Sequence, residues 1–163
     1  MNLEHNNKVH KIDGVSIKEL AEKFGTPCFV YSESTISKSF QEIKDVFGSD
    51  KKNIYYSVKA NSNLSILKLL LNMGAGFDIV SMGELDRVIK IGANPKKIVY
   101  SGVGKSESDI KHSIELGIYC INVESFAELE RINKIAGDLN IKAPVAISCL
   151  LYTSPSPRDC RLS

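Results

Sequence analysis

Tryptophan is absent from this 163-residue chain, and no apolar run approaches the ~18 residues that a membrane-spanning helix needs. The N-terminus, MNLEHNNKVHK, is polar and lacks the apolar core of a signal peptide. Together these predict a cytoplasmic protein. Excess charge of one sign is missing too. The 21 basic and 19 acidic residues leave a net +2, which makes no electrostatic case for nucleic acid or an anionic membrane as partner. Cysteine and histidine are sparse. Cys28, Cys120, Cys149 and Cys160 form no CxxC and no metal-like spacing with the three histidines, so neither a disulfide framework nor a metal site is expected. What is present is ordinary for a globular protein: 43% hydrophobic and 25% charged residues, at a length that suits one domain.

The body of the chain alternates apolar, β-branched segments with amphipathic ones. Ser16 stands where it would cap a short helix, SIKELAEKFG, which Gly25 and Pro27 end. CFVYS (28–32) reads as a strand. Residues 33–47 read as a helix with Ile36, Phe40, Ile43, Val46 and Phe47 on one side. A period then begins. Strands are expected at 53–60, 77–80, 97–102, 118–123 and from 144, and helices at 64–74, 82–92, 107–117 and 124–136. Strand ends near 59, 79, 100, 122 and 147 leave room for one strand and one helix per unit. Repeated βα units require a parallel sheet covered by crossover helices. An open doubly wound sheet and a (β/α)₈ barrel both satisfy this, and the even spacing without a long crossover favours the barrel. A complete barrel takes ~200–250 residues or more, so five strands make about half of one. The organisation expected is a leading segment, 1–52, a partial barrel, 53–148, and a foreign tail, 149–163.

Three places invite a chemical reading. Lys59 ends the strand IYYSVK, at the strand edge where (β/α) folds build active sites. A desolvated lysine there can attack a carbonyl, whereas a snorkelling or salt-bridged lysine is the bland alternative. Asp78, near the end of the next strand, can pair with Lys59 or a cationic cofactor, or simply serve the first turn of the following helix. Ser81 and Glu84 have the spacing of a capping box. SGVGKSESD (101–109) follows a strand and precedes a helix, but it fits neither GxxxxGK[ST] nor GxGxxG. It reads better as a βα turn in which Ser106 caps the helix. His112 has no second ligand near it in sequence and reads as a surface or packing histidine.

YYSVKANSNLSILKLLLNMGAGFDIVSMGEL (55–85), IVYSGVGKS (98–106) and INVESFAELERI (121–132) resemble the fold-type III pyridoxal phosphate decarboxylases of diaminopimelate, ornithine and arginine. SGVGKS tilts the resemblance toward the diaminopimelate branch. The resemblance runs from about residue 13 to Ile147. It implies the N-terminal part of a (β/α)₈ barrel of the pyridoxal-phosphate-binding, alanine racemase-like type, cut after about five strands. It implies decarboxylation of meso-2,6-diaminopimelate to L-lysine, with pyridoxal 5'-phosphate as cofactor and a homodimeric full-length parent. Lys59 stands where the Schiff-base lysine stands, and Asp78 falls at an active-site acid near lysine and cofactor. Glu84 matches a further acid. The ring-stacking histidine, the phosphate loop, the acid for the pyridinium nitrogen, the cysteine given across the dimer and the C-terminal β-domain are implied to lie beyond Ser148. An ornithine or arginine decarboxylase is the alternative, followed by a non-catalytic carrier of the same cofactor. The additional segment at 27–47 argues against that single-barrel carrier.

CLLYTSPSPRD (149–159) resembles translated sequencing-adapter DNA, and it interrupts an expected strand. Ser148 also stands where the family usually has Arg. The expectation is an inactive fragment whose true sequence departs at about residue 148.

Overall fold

The computed structural model describes residues 4–6, 9–47 and 53–148; the adapter-like tail lies outside the described residues. The chain divides into two compact units, Met1–Ile54 with Ser65–Ala75, and Tyr55–Leu64 with Gly76–Ser163.

The first unit opens with an antiparallel meander that the sequence reading did not foresee. Its strands are β1 (Glu4–Asn6), β2 (Val9–Ile12) and β3 (Val15–Ser16). The β2–β3 turn is Asp13-Gly14, with φ of 49° and 81°. Both central residues of a tight hairpin turn of this kind need positive φ, which Asp and Gly tolerate. The missed signal was that dipeptide. Helix α1 (Ile17–Phe24) follows, then α2 (Glu33–Phe47) and, later in the chain, α3 (Leu64–Asn72). Ser16 occupies the N-cap position of α1, but its side chain makes no capping hydrogen bond. The expected strand at 28–32 does not form. A strand exists through its ladder partners, and none of the described strands pairs with this segment. Phe29, Val30 and Tyr31 are left exposed.

The second unit is a parallel sheet of β4 (Tyr55–Ser57), β5 (Gly76–Ile79), β6 (Ile98–Tyr100), β7 (Cys120–Val123) and β8 (Val145–Ile147), hydrogen-bonded in that order. Sequential order means that no strand reverses the direction of winding. A doubly wound sheet needs such a reversal, and a barrel does not. The α/β architecture is therefore that of a partial (β/α) barrel. Helices α4 (Met82–Lys90), α5 (Glu107–Leu116) and α6 (Phe126–Asp138) belong to the same unit.

Side chains alternate along the strands, so the two faces differ. Phe77, Ile79, Ile98, Tyr100, Ile121 and Val123 are buried. They form the apolar face, together with Leu85, Val88, Ile110, Ile114 and Ile132 of the helices. Ser57, Asp78, Val99 and Cys120, which are in register across four strands, are half-buried and form the opposite face. Burying the core valine, leucine, isoleucine and phenylalanine side chains at about 1.5–3 kcal/mol each is the main favourable term of this fold. The small side chains of the second face, two of them polar, are what leave it free for chemistry.

Candidate active site

β4 is shorter than expected. It ends at Ser57, and Lys59 lies in a 3₁₀ turn, Val58–Ala60, that follows it. Val58 is fully buried, while Lys59 and Ala60 are exposed. The turn thus anchors itself by the valine and presents the amine to solvent at the C-terminal edge of the sheet. Lys59 is exposed among the described residues, rather than the desolvated lysine pictured from the sequence.

Asp78 sits inside β5, and its partners come from the neighbouring strands rather than from the helix that follows. Ser57 Oγ donates to Asp78 Oδ2 at 3.4 Å. Ser101 Oγ, just past β6, donates to Asp78 Oδ1. Ser101 Oγ in turn accepts from Asn122 Nδ2 on β7 at 2.8 Å. One side chain from each of four consecutive strands or strand ends thus forms a continuous polar row around the carboxylate. Asp78 and Lys59 form no ion pair among the described residues. They are linked instead through Ser57, two residues before Lys59.

Glu84 has the local role that its spacing suggested. Its backbone N–H donates to Ser81 Oγ at 3.3 Å, and its carboxylate accepts from the Val80 N–H at 2.8 Å. The second bond reaches one residue further back than a capping box would. The full box occurs at α5, where Ser106 and Asp109 satisfy each other's backbone N–H groups. His112 lies exposed on that helix.

Lys105 is not a phosphate ligand. Its side chain is fully buried, with Nζ 3.1 Å from Glu128 Oε1, 2.7 Å from the Asn122 carbonyl and 5.3 Å from the centre of the Tyr100 ring. Burial, followed by the negative charges of Asp109, Glu128 and Glu84, pushes the Tyr100 hydroxyl up to about 12, so it stays neutral. Burial also pushes the Cys120 thiol up, which leaves it a poor nucleophile. Ser101, Asn122 and Glu128 were not singled out from the sequence. Their only signal was polarity at strand-end and helix-start positions, where caps are the common explanation.

A lysine amine and a fixed carboxylate at one edge of a sequential parallel sheet suit an aldehyde-bearing cofactor. The family model for the pyridoxal-dependent decarboxylase, pyridoxal binding domain, matches residues 33–153. The chain belongs to this family. It is 46% identical over 135 residues to the diaminopimelate decarboxylase of Pseudomonas aeruginosa, covering 83% of the chain and 32% of that protein. The crystal structure of diaminopimelate decarboxylase from Helicobacter pylori complexed with L-lysine matches with a TM-score of 0.75 at 44% identity. That match covers 80% of the chain and 33% of the crystallised one. A lysine/ornithine decarboxylase from Vibrio vulnificus, complexed with putrescine, matches at a TM-score of 0.69 over 79% of the chain and 34% of its own. At 22% identity that likeness shows the fold alone. The chain spans about a third of the length of these relatives. No helix among the described residues is long and apolar enough to cross a membrane.

Proposed function

We propose that this chain is the N-terminal third of a pyridoxal-phosphate-dependent diaminopimelate decarboxylase, which converts meso-2,6-diaminopimelate to L-lysine. The observation that carries the reading is the polar row at the strand edge. An exposed Lys59 follows Ser57, and Ser57 and Ser101 both donate to the Asp78 carboxylate.

The residues present suit the aldehyde-and-ring end of pyridoxal phosphate. Lys59 would attach it through Nζ, since a primary amine open to solvent can reach a carbonyl carbon and lose its proton as it does so. Arginine could not replace it, because a guanidinium stays protonated at working pH. Asp78 would hold a negative charge at a set place near the attached group. The hydroxyls of Ser57 and Ser101 fix its two oxygens, which spares the reorganisation that a mobile carboxylate would need. When bound, pyridoxal phosphate supplies the electron sink that accepts the charge left as the carboxylate departs. We assign the full-length enzyme to the cytoplasm as a homodimer on the strength of the family resemblance.

The test is substrate preference. Full-length enzyme should release carbon dioxide from meso-diaminopimelate far faster than from ornithine or arginine. A preference for ornithine would move the assignment to the polyamine branch and keep the chemistry. Uptake of pyridoxal phosphate without decarboxylation of any diamino acid would favour a carrier.

A further inference from the structure

The second unit contains an internal repeat. Ser57, Asp78, Ser81, Glu84 and Leu85 each lie 44 positions before Ser101, Asn122, Ser125, Glu128 and Leu129. The hydrogen bonds repeat with the residues. Ser81 Oγ accepts from Glu84 N at 3.3 Å, and Ser125 Oγ accepts from Glu128 N at 3.2 Å. The Glu84 carboxylate accepts from Val80 N at 2.8 Å, and the Glu128 carboxylate accepts from Glu124 N at the same distance. The two copies differ at the acid, and each has its own lysine at a different place in the repeat, since Val103 stands 44 positions after Lys59 and Asn61 stands 44 before Lys105. The first leaves Lys59 exposed and carries Asp78 on its strand. The second buries Lys105 against Glu128 and carries the neutral Asn122 where the first has Asp78.

We propose that Asn122 is a positioning residue for Asp78, acting through Ser101, and that the buried Lys105–Glu128 pair holds Asn122 in place. The inference rests on the decarboxylase reading for what Asp78 does, but not for how Asp78 is held. The Ser101 hydroxyl has one proton. Because Ser101 Oγ accepts from Asn122 Nδ2, that proton is directed at Asp78 Oδ1. An acid at position 122 would compete for the proton and set a like charge beside Asp78, whereas an amide does neither. Lys105 Nζ takes the Asn122 carbonyl and Glu128 Oε1 together. This ties the Asn122 backbone at the end of β7 to the start of α6, while on the side chain Oδ1 faces the Cys120 thiol at 3.9 Å and Nδ2 is left to donate to Ser101. A bare stitch between strands would need no particular residue at position 122. This arrangement does, because the Ser101–Asp78 hydrogen bond takes its direction from Asn122 being a donor.

The experiment uses the full-length enzyme with Asn122→Ala, Asp78→Asn and the two together. Loss of a hydrogen bond that orients a charged group predicts that Asn122→Ala lowers kcat about tenfold to a hundredfold, with KM nearly unchanged. It should also alter the visible circular dichroism of bound pyridoxal phosphate. In the Asp78→Asn background, Asn122→Ala should have no further effect, because its only route is through the carboxylate. Full additivity of the two substitutions, or wild-type kcat and dichroism in Asn122→Ala, overturns the proposal. If Asn122→Ala fails to fold, Ser101→Ala cuts the same row one bond further on and is read the same way. A readout free of activity separates this proposal from the functional one. In the cofactor-free protein the Asn122 side-chain amide protons should be protected from exchange, and Ser101→Ala should remove that protection. Protection that survives Ser101→Ala sinks the proposal even if the enzyme is a decarboxylase. Its loss supports the proposal even if the substrate proves to be another amine.

Discussion

At the scale of single residues, two lysines of this chain have opposite fates. Lys59 stands in a 3₁₀ turn with its amine in solvent, and Lys105 is sealed under α6 with a carboxylate, a carbonyl and an aromatic ring around it. The first is open to chemistry, and the second is committed to structure. Borohydride reduction of the full-length enzyme with pyridoxal phosphate should leave the cofactor on Lys59, as read by peptide mapping. A label on Lys51, Lys52 or Lys68 would remove the central assignment. Lys59→Ala and Lys59→Arg should both abolish turnover. Lys105 predicts a stability effect instead. Lys105→Met strands the Glu128 carboxylate in the interior, and breaking a buried pair from one side costs about 3–5 kcal/mol. Denaturant unfolding of the full-length enzyme should show that loss, and adding Glu128→Leu should recover part of it, because two apolar side chains leave no charge stranded.

At the scale of elements, the joints carry the specification. The Asp13-Gly14 turn closes the β2–β3 hairpin, and the same aspartate accepts from Ser32 Oγ and from the Ser34 hydroxyl and backbone N–H at the start of α2. The hydrogen bonds from the Ser34 and Ser32 side chains, in that order, and from the Ser34 backbone hold the Asp13 carboxyl below its ordinary value of 3.8. A depressed folded-state value favours the charged form. The stabilisation is therefore present above pH 3.8 and is lost as the pH falls through the lower folded-state value. The protection factors of the amides in the first turn of α2 should thus fall once the pH drops below 3.8 and through the lower folded-state value. Asp13→Asn should bring the lower protection to neutral pH and remove its acid dependence. If the variant keeps a protected, acid-sensitive Ser34 amide, Asp13 is not the link. The helix starts of the second unit repeat one device, a serine with an acid three residues later, at Ser81, Ser106 and Ser125. These were legible at α4 and α5 because a capping box is written in four consecutive residues. The strand expected at 28–32 was misread because its apolar residues say nothing about a ladder partner, and pairing is not local.

At the scale of the whole molecule, the sheet has two open edges among the described residues, β4 and β8, and β8 has all three residues exposed, with Ile147 at 84%. A closed barrel has no edges, and apolar parallel strands with free N–H and C=O groups are templates for further pairing. Residues 1–163 expressed alone should therefore be aggregated or only partly folded, without decarboxylase activity. Size-exclusion chromatography and thermal melting check this. A soluble monomer that melts cooperatively and binds pyridoxal phosphate would show that the half-barrel is a unit in its own right.

The sequence alone determined the βα period, the family, and the helices expected at 16–25, 33–47, 64–74, 82–92, 107–117 and 124–136, which form with ends shifted by up to two residues, because periodicity, caps and the block around VKAN are local patterns. It also placed Lys59 and Asp78 near neighbouring strand ends, since strand spacing fixes which residues reach that edge. Only the tertiary structure decided which groups meet there. The parallel register sets Ser57 against Asp78, and Ser101 and Asn122 then complete the row. The fold also made Lys105, in the βα turn 101–109, the buried partner of Glu128. Those contacts join residues 17–23 positions apart. Whether a polar side chain ends in solvent, in a cap or in an ion pair depends on what the rest of the chain brings to it, and that is a property of packing.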